Sequence, residues 1–253
     1  MTRVVFPVMG TMASILVASP DDERLGDPAV AAALLTARRD LEILDRRFSH
    51  YALDSEISTW LSGGAVSPDA LADFDHVLRA CGRLNDESEG AFTIKNPTTG
   101  RVDTAGYVKG FAMRRAAQSL IRADVANFMI CVGGDTYCAG RPERARPWRV
   151  AVADPLRGHG VAALVEASDL AVATSGTAER GDHIWNGRGP ARSGLLSFTV
   201  VGPDIAEADA YATIGFAMGE AGVAWVAAHD GYRSIAIRSD GSRLADAALV
   251  SAA

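Results

Sequence analysis

Residues 102–112 read Val-Asp-Thr-Ala-Gly-Tyr-Val-Lys-Gly-Phe-Ala. The pattern predicts a helix over residues 109–122, and Gly106 taken alone is consistent with a turn that precedes that helix. Lys109 then lies at the beginning of the helix, where a lysine opposes the macrodipole unless an anion is nearby. A phosphate-bearing ligand would be such an anion, and a solvated lysine is the alternative.

Outward from this segment, strand-like and helix-like patterns are mixed along the chain and do not alternate strictly. A second long helix is predicted over residues 207–228, from its length and periodicity. Strands are predicted over residues 4–6, 13–18, 128–132, 148–153, 195–201 and 234–238. The strand over 128–132 should stop at Gly133-Gly134-Asp135, since buried strands often end in glycine turns. Together these elements predict an α+β fold.

Two further helices carry clear start signals. Asp27 as N-cap and Pro28 at the first helical position begin one helix, and Ser67, Pro68 and Asp69 announce the other. In the first helix the predicted inward residues are Val30, Leu34, Leu41, Leu44 and Phe48. In the second they are Leu71, Phe74, Leu78, Cys81 and Leu84.

The composition is that of a folded globular protein. Of the 253 residues 48% are apolar and 22% charged, which argues against disorder. The 25 basic and 31 acidic side chains leave a net charge of −6, which argues against a general nucleic-acid or anionic-membrane surface. Three cysteines without C-x-x-C spacing indicate neither a disulfide framework nor a zinc knuckle.

The N-terminal residues contain no long apolar stretch before a cleavage site and no lipid-attachment cysteine. We therefore expect a cytoplasmic protein. No apolar run reaches the roughly 20 residues that a bilayer-spanning helix needs, so no membrane insertion is expected.

In the late helix, Asp209 and Thr213 are four residues apart and project from the same face. A carboxylate and a hydroxyl are hard oxygen ligands that suit Mg²⁺ or Ca²⁺ better than zinc. The alternative is structural: Asp209 would lie in the first turn of the helix, favoured by the macrodipole, and Thr213 would bond back to its own turn.

The run over residues 102–112 resembles the pattern of the ApbE family of FAD:protein FMN transferases, a strand-like V-D-L followed by G-x-x-K-G-Y-A. Supporting matches follow in family order across almost the whole chain, so a chance origin is hard to sustain. They are Met9-Gly10-Thr11, the Arg-Phe-Ser-His-Tyr run at 47–51 with Ser55-Glu56-Ile57, Gly90-Ala91-Phe92, Gly133-Gly134-Asp135, the Ala-Thr-Ser-Gly run at 173–176 with His183-Ile184, and the Ala-Asp-Ala-Tyr-Ala-Thr run at 208–213.

The resemblance implies a fold and a metal site. The fold would be α+β, with mixed, largely antiparallel sheets flanked by helices in a T-fold-like, two-lobed architecture. Residues 1–253 would form a single domain built as two intertwined lobes. Mg²⁺ would be held by the Asp209 carboxylate, the Thr213 hydroxyl and the backbone carbonyls of Gly106 and Ala212, a set of hard oxygen donors.

The resemblance also implies contacts to FAD as substrate. Met9 would lie against the flavin ring, where its polarizable thioether packs on an aromatic face; a buried core methionine is the alternative. The remaining contacts would come from Tyr51, Ala91, Phe92, Thr93, Asp103, Lys109 and Trp185.

The implied reaction is transfer of the FMN part of FAD to a Ser or Thr hydroxyl of an acceptor flavoprotein, with release of AMP. His183 is the candidate base, because its ordinary pKa of about 6.5 lets it accept a proton near neutral pH. Asp209 is the second candidate, although a carboxylate committed to a metal is a poorer base. A structural or exposed histidine is the alternative for His183.

This chain departs from the family pattern at three places. After His183-Ile184, the family's D-P-x-T-G is replaced by residues 186–190, Asn-Gly-Arg-Gly-Pro, which are one residue shorter. Thr93 stands where the family generally has Asp, and a long insertion between Phe92 and Val102 is missing. We expect these changes to affect transfer to the acceptor protein more than FAD binding.

Three hypotheses therefore stay open. The first is the metal-dependent transferase. The second is an FAD pyrophosphatase that uses water and gives FMN and AMP. The third is a non-catalytic flavin carrier, in which Met9, Tyr51 and Lys109 hold FAD that is never cleaved.

Overall fold

The computed structural model describes most of the chain, namely residues 1–19, 26–50, 52–143, 146–157, 160–177, 185–186, 189–190 and 193–245. Two predicted site residues, Tyr51 and His183, lie outside the described residues. Their roles therefore stay predictions.

Six helices are present in the described part of the chain. They are α1 (Pro28–Phe48), α2 (Glu56–Leu61), α3 (Pro68–Glu87), α4 (Ala105–Arg122), α5 (Ile205–Met218) and α6 (Ala221–Ala227). Both predicted start signals are confirmed: the Asp27 side chain accepts the backbone N–H of Ala29 at 2.8 Å, and that of Ser67 accepts the N–H of Ala70 at 3.2 Å.

The strands of the described residues form one large sheet and two small hairpins. The eight-stranded sheet has the order β1-β2-β3-β4-β7-β10-β11-β12, and every neighbouring pair in it is antiparallel. Hairpins β5–β6 and β8–β9 stand apart from it. The strands are β1 (Thr2–Val8), β2 (Thr11–Val17), β3 (Phe128–Val132), β4 (Asp135–Ala139), β5 (Trp148–Ala153), β6 (Val161–Ala167), β7 (Leu170–Gly176), β8 (Trp185–Asn186), β9 (Gly189–Pro190), β10 (Leu195–Gly202), β11 (Arg233–Arg238) and β12 (Arg243–Ala245).

The two faces of the sheet are covered differently. The helices pack on one face and form the larger hydrophobic core with residues such as Leu41, Phe128 and Phe198. Hairpin β5–β6 contributes Trp148 and Val150 to a second, smaller cluster that includes sheet residues. Among the described helices, none has the length and apolar character needed to cross a bilayer.

The predicted inward face of α1 is confirmed, and that of α3 is confirmed except at Leu71 and at Leu78, which is only partly buried. All five predicted residues of α1 are buried. In α3 the buried stripe runs through Ala70, Phe74, Val77, Cys81 and Leu84. Leu71 is adjacent to Ala70 in sequence, so it points about 100° away from that stripe, and its predicted burial is wrong: it is 46% exposed.

Two predicted helix boundaries are also wrong. Helix α4 begins at Ala105, so Gly106 lies inside its first turn and Lys109 one turn further in. The single helix predicted over residues 207–228 is two helices, because Gly219 adopts a left-handed φ of 68° that ends α5. Helix α6 folds back onto α5 so closely that a Cβ at Gly222 would lie 2.5 Å from the carbonyl oxygen of Gly215.

Helices α4 and α5 cross at Gly110. A Cβ at this position would lie 2.7 Å from Ala206 Cα and 2.7 Å from the carbonyl oxygen of Ile205, both backbone atoms that cannot move alone. The backbone N–H of Gly110 donates to Asp209 Oδ2 at 2.9 Å across the same contact. The missing side chain therefore sets the distance between the two helices that carry the predicted metal ligands.

We predict that Gly110→Ala lowers the free energy of unfolding by roughly 1–3 kcal/mol, because the added methyl group forces α4 and α5 apart. The matched control is Gly82→Ala in α3, where a Cβ meets nothing within 4 Å. That change should raise stability by about 1 kcal/mol through helix propensity alone. Urea denaturation of both variants measures the difference, and a stabilised Gly110→Ala would contradict the close crossing.

Candidate functional site

A cavity of about 320 Å³ lies between the sheet and the crossing of α4 with α5. Its walls come from the first turns of α4, the β3–β4 turn, strands β5 and β7, and the inner face of α5. This volume is at the lower end of the roughly 300–1,000 Å³ typical of small-molecule sites. Among the described residues, the charged side chains that line it are Asp103, Lys109, Asp135 and Asp209.

Three of these charges form one buried cluster. The Lys109 ammonium lies 2.5 Å from Asp135 Oδ2 and 3.2 Å from Asp209 Oδ1. The side chains of Asp135 and Asp209 are 1% and 4% exposed, whereas that of Lys109 is 27% exposed. The ammonium thus bridges two carboxylates from different parts of the fold while keeping contact with the cavity.

The cluster shifts the pKa values of its members. Burial raises the pKa of Asp209 to about 7, against the opposing pull of Lys109, and the negative charge of Asp135 adds to the rise. Burial alone lowers the pKa of Lys109, but the carboxylates of Asp135 and Asp209 outweigh it and hold the pKa above its usual range. Lys109 therefore stays cationic, and Asp209 can change charge near neutral pH.

Asp135 is fixed by the sheet. It is the first residue of β4, directly after the glycine turn that ends β3, and its Oδ1 accepts the backbone N–H of Thr174 from β7 at 2.9 Å. Its Oδ2 faces Lys109. One oxygen therefore anchors the carboxylate to the sheet, and the other is available to a cation.

Asp209 and Thr213 lie on the face of α5 that lines the cavity. Asp209 is the fifth residue of α5, so the structural interpretation that placed it in the first turn is wrong. Thr213 does bond back to its own turn, with Oγ1 3.3 Å from the carbonyl oxygen of Asp209. The same hydroxyl lies 3.1 Å from Ser175 Oγ of β7.

Gly106 belongs to the same group. A Cβ on this residue would lie 3.1 Å from Phe92 Cε2 and 3.7 Å from Thr213 Cγ2. It therefore lies between the Phe92 ring and the α5 face that carries the predicted metal ligands. Ala212 is fully buried and does not line the cavity.

The predicted FAD contacts divide into two groups. Phe92, Thr93, Asp103, Lys109 and Trp185 line the cavity, whereas Met9 and Ala91 do not. The indole Nε1 of Trp185 is buried and has no hydrogen-bond partner among the described residues, so it is a donor available to a ligand.

Met9 is held in an unusual backbone conformation. Its φ is 52° in the tight β1–β2 turn, and its N–H donates to Asp45 Oδ2 of α1 at 2.9 Å. Thr11, two residues later, does line the cavity. The turn thus faces the site, and the capping carboxylate of Asp45 fixes its shape.

Arg47 and His50, from the Arg-Phe-Ser-His-Tyr run that begins at Arg47, lie outside the cavity and support the N-terminal end of α4. Arg47 pairs with Asp73 of α3, which also pairs with Arg115 of α4, so this ion-pair cluster joins three helices. His50 Nε2 accepts the backbone N–H of Thr104, just before α4, at 3.2 Å, and burial lowers the pKa of His50. These residues hold the N-terminal end of α4 in place.

Sequence reasoning missed several cavity residues. Asp135 and Ser175 were assigned no role, although both lie in the quoted runs Gly133-Gly134-Asp135 and 173–176. An acidic residue directly after a glycine turn was the available signal for Asp135. The apolar wall that β5 supplies, Ala151, Val152 and Ala153, carried no sequence signal.

The donor set suits a hard divalent cation. The described lining has one ammonium against three carboxylates, which leaves two negative charges when all are ionised. Within the described residues no cluster of three or more His, Cys, Asp and Glu is placed to hold a metal. The oxygen donors beside Asp209 are instead the hydroxyls of Thr213 and Ser175, a type of ligand that Mg²⁺ accepts.

Comparison with protein-family models matches residues 93–236 to the ApbE family. A curated relative from Rhodobacter capsulatus, called FAD:protein FMN transferase, is 29% identical over 232 residues, which cover 85% of this chain but 44% of the relative. A relative of the same name from Haemophilus influenzae is 23% identical, with 78% of this chain and 76% of that protein covered. The chain thus spans less than half the length of the first relative.

Solved structures show the fold. The structure of the flavin transferase ApbE from Vibrio cholerae aligns with a TM-score of 0.81 and 22% identity, covering 100% of this chain and 99% of that one. The ApbE protein from Thermotoga maritima aligns with a TM-score of 0.81 and 23% identity, covering 98% and 97%. The predicted α+β fold with antiparallel sheets flanked by helices is confirmed.

We predict that Lys109→Met lowers the free energy of unfolding by about 3 kcal/mol at a pH above 7, because it leaves two buried carboxylates without their cation. The control is Lys95→Met, which changes an exposed lysine and should shift stability by no more than about 0.5 kcal/mol. Urea denaturation compares the two variants. Equal stabilities would mean that the cluster is not an ion-pair network.

Proposed function

Because the chain belongs to the ApbE family, we propose that it transfers the FMN part of FAD to a Ser or Thr hydroxyl of an acceptor flavoprotein and releases AMP. The reaction would depend on Mg²⁺. FAD is the substrate, and the acceptor hydroxyl would end as a phosphoester of FMN.

The observation that carries this proposal is the charge of the cavity. Three carboxylates and one ammonium line it among the described residues. A dianionic pyrophosphate would be repelled by such a site unless a divalent cation entered with it, since opposite charges must balance in a poorly solvated cavity. The charge of the lining therefore favours a divalent cation, and it favours a diphosphate only together with that cation.

The residues that would hold Mg²⁺ are the Asp209 carboxylate, the Thr213 hydroxyl and the backbone carbonyls of Gly106 and Ala212. Three of these four residues line the cavity, and Ala212 is buried next to Thr213. When bound, Mg²⁺ would neutralise charge on the non-bridging and leaving oxygens of the pyrophosphate.

The protein's own groups would position the FAD. The Lys109 ammonium lies in the cavity, and Ala105 and Gly106 of the first turn of α4 line it, so the positive end of the helix dipole favours an anion there. Trp185 offers a buried N–H donor without a partner among the described residues, and β5 offers an apolar wall. These contacts would orient the phosphorus on the FMN side toward the incoming hydroxyl.

In the transfer step, the acceptor oxygen would form a bond to that phosphorus while the bond to the AMP phosphate breaks. The proton of the hydroxyl would pass to a base, for which His183 is the first candidate and Asp209 the second. Placement in the cytoplasm is an expectation from the N-terminal sequence, and the absence of nucleic-acid partners is an expectation from the net charge of −6.

The test is incubation of the purified protein with FAD, with and without Mg²⁺, and with and without an acceptor flavoprotein expressed free of flavin. FAD, FMN and AMP are then separated chromatographically, and the denatured acceptor is examined for bound flavin. We expect AMP and covalently attached flavin only when Mg²⁺ and the acceptor are both present.

Other outcomes would replace the proposal. FMN and AMP formed equally with and without acceptor indicate a pyrophosphatase. Intact FAD bound to the protein under all conditions, with every acceptor tried, indicates a flavin carrier.

Asp209→Asn should reduce the Mg²⁺-dependent rate by at least about 100-fold, because it removes the one charged ligand and leaves neutral oxygens around a divalent ion. The matched control is Asp75→Asn on the exposed face of α3, whose side chain is 55% exposed and which should act like the unmodified protein. AMP release under saturating FAD measures both. Full activity of Asp209→Asn would contradict the metal assignment.

Mg²⁺ affinity should also depend on pH. Burial raises the pKa of Asp209 to about 7, so a proton competes with the cation below that pH. The affinity should be constant well above pH 7 and should fall below it, approaching about tenfold per pH unit. Calorimetric titration with Mg²⁺ measures this, and Asp209→Asn should abolish the dependence. A Mg²⁺ affinity that rises as the pH falls below 7 would contradict this prediction.

A further inference from the structure

Asp135 is the one buried acid of the site for which neither the family resemblance nor the proposed reaction provides a role. Its side chain is 1% exposed, and one of its oxygens lies against the Lys109 ammonium at 2.5 Å. Burial of a second carboxylate next to Asp209 raises the electrostatic energy of the folded protein. Because the buried Asp135 carboxylate lowers stability and lies in a binding cavity, we expect it to contribute to ligand binding.

Lys109 has two carboxylate partners but one ammonium group to share. Its distance to Asp135 is 2.5 Å and its distance to Asp209 is 3.2 Å, so Asp135 is the closer partner. Asp209 is also the carboxylate proposed for the cation. Two cations that bind one carboxylate at close range repel each other. When a divalent cation binds Asp209, the Lys109 ammonium is therefore stabilised only if a second anion lies beside it.

We propose that Asp135 is a positioning residue that retains the Lys109 ammonium when a divalent cation occupies Asp209, and so keeps Lys109 directed at the substrate pyrophosphate. Without Asp135, the ammonium has Asp209 as its single buried partner in the cluster and competes with the cation for it. This role rests on the proposed function, because it assumes that a cation and a diphosphate bind in this cavity.

The attachment of Asp135 to the sheet suits this role. Its Oδ1 accepts the N–H of Thr174 at 2.9 Å, which fixes the carboxylate on β4 and β7. Lys109 and Asp209 are carried by the helices α4 and α5. The ammonium is thus held by a group on the sheet while its other partner on α5 is free to exchange ligands.

The charge of the cluster makes the proposal testable. Asp135, Lys109 and Asp209 together carry one net negative charge when ionised. Asp135→Asn removes that charge, and the added Lys109→Met restores it. Asn retains an oxygen that can accept the Thr174 N–H, so the sheet contact survives the change.

The experiment measures Mg²⁺ affinity by calorimetry and FAD affinity by flavin fluorescence, at about pH 8, where Asp209 is ionised. The proteins are the unmodified chain, Asp135→Asn, Lys109→Met and the double variant, with Glu166→Gln on the exposed side of β6 as control. Circular dichroism confirms the fold of each, and Lys109→Gln replaces Lys109→Met if the latter does not fold.

We expect Asp135→Asn to weaken Mg²⁺ binding by roughly 10-fold or more, the worth of a charge-assisted contact, and to weaken FAD binding as well. The double variant should recover the Mg²⁺ affinity of the unmodified chain, because the competing ammonium is gone. Its FAD affinity should stay as low as that of Lys109→Met alone. Glu166→Gln should change neither affinity.

The opposite pattern would overturn the role. If the double variant binds Mg²⁺ as weakly as Asp135→Asn, then Asp135 affects Mg²⁺ affinity through its contact with the sheet and not through Lys109. An unmodified chain that binds neither FAD nor Mg²⁺ would remove the proposed function and this role with it. A chain that binds both but transfers no flavin contradicts the proposed function, and the Mg²⁺ and FAD affinities of the four proteins still decide the role of Asp135.

Discussion

The close contact of α4 with α5 is the constraint on which the rest of the site depends. Because Gly110 has no side chain, its backbone lies against Ala206 of α5 and donates a hydrogen bond to Asp209. That approach brings one face of α4, with Gly106 and Lys109, against the face of α5 with Asp209 and Thr213. Larger side chains at the crossing would separate the helices, and the ammonium and carboxylate would then be hydrated separately. The chemistry of the cavity thus begins with a packing contact.

The charges gathered by this contact are a poor choice for stability alone. A buried ammonium with two carboxylates loses more hydration than a hydrophobic cluster of the same volume would. The same burial raises the pKa of Asp209, against the pull of Lys109. Such arrangements are found where a ligand completes the charge balance. The same excess of negative charge therefore explains both why the cluster lowers stability and why a divalent cation suits the cavity.

Much of the fold follows from local sequence signals. Asp27 and Ser67 announced two helices because their side chains cap exposed N–H groups, and the strands at 128–132 and 148–153 were predicted to the residue. The boundary between α5 and α6 was missed, because Gly219 ends a helix only through its left-handed backbone and the flanking residues keep helical periodicity. Strands β4, β6 and β7 were missed too, since their pairing is decided by distant partners. In the site, the sequence pattern predicted Lys109 and Asp209. Asp135 was not predicted, because only the folded sheet brings it beside Lys109.

The wall supplied by β5 has a different consequence, for how this protein can change over evolutionary time. Ala151 and Ala153 alternate with the buried residues of β5 and reach the cavity with methyl groups. Hydrophobic support of the hairpin comes from Trp148, Val150 and Val152 in the smaller cluster, apart from the helical core. Replacing either alanine therefore alters the shape that a ligand meets without disturbing the ion cluster or the helix crossing. Selectivity among related substrates can diverge at these two positions while the reactive end of the cavity is preserved.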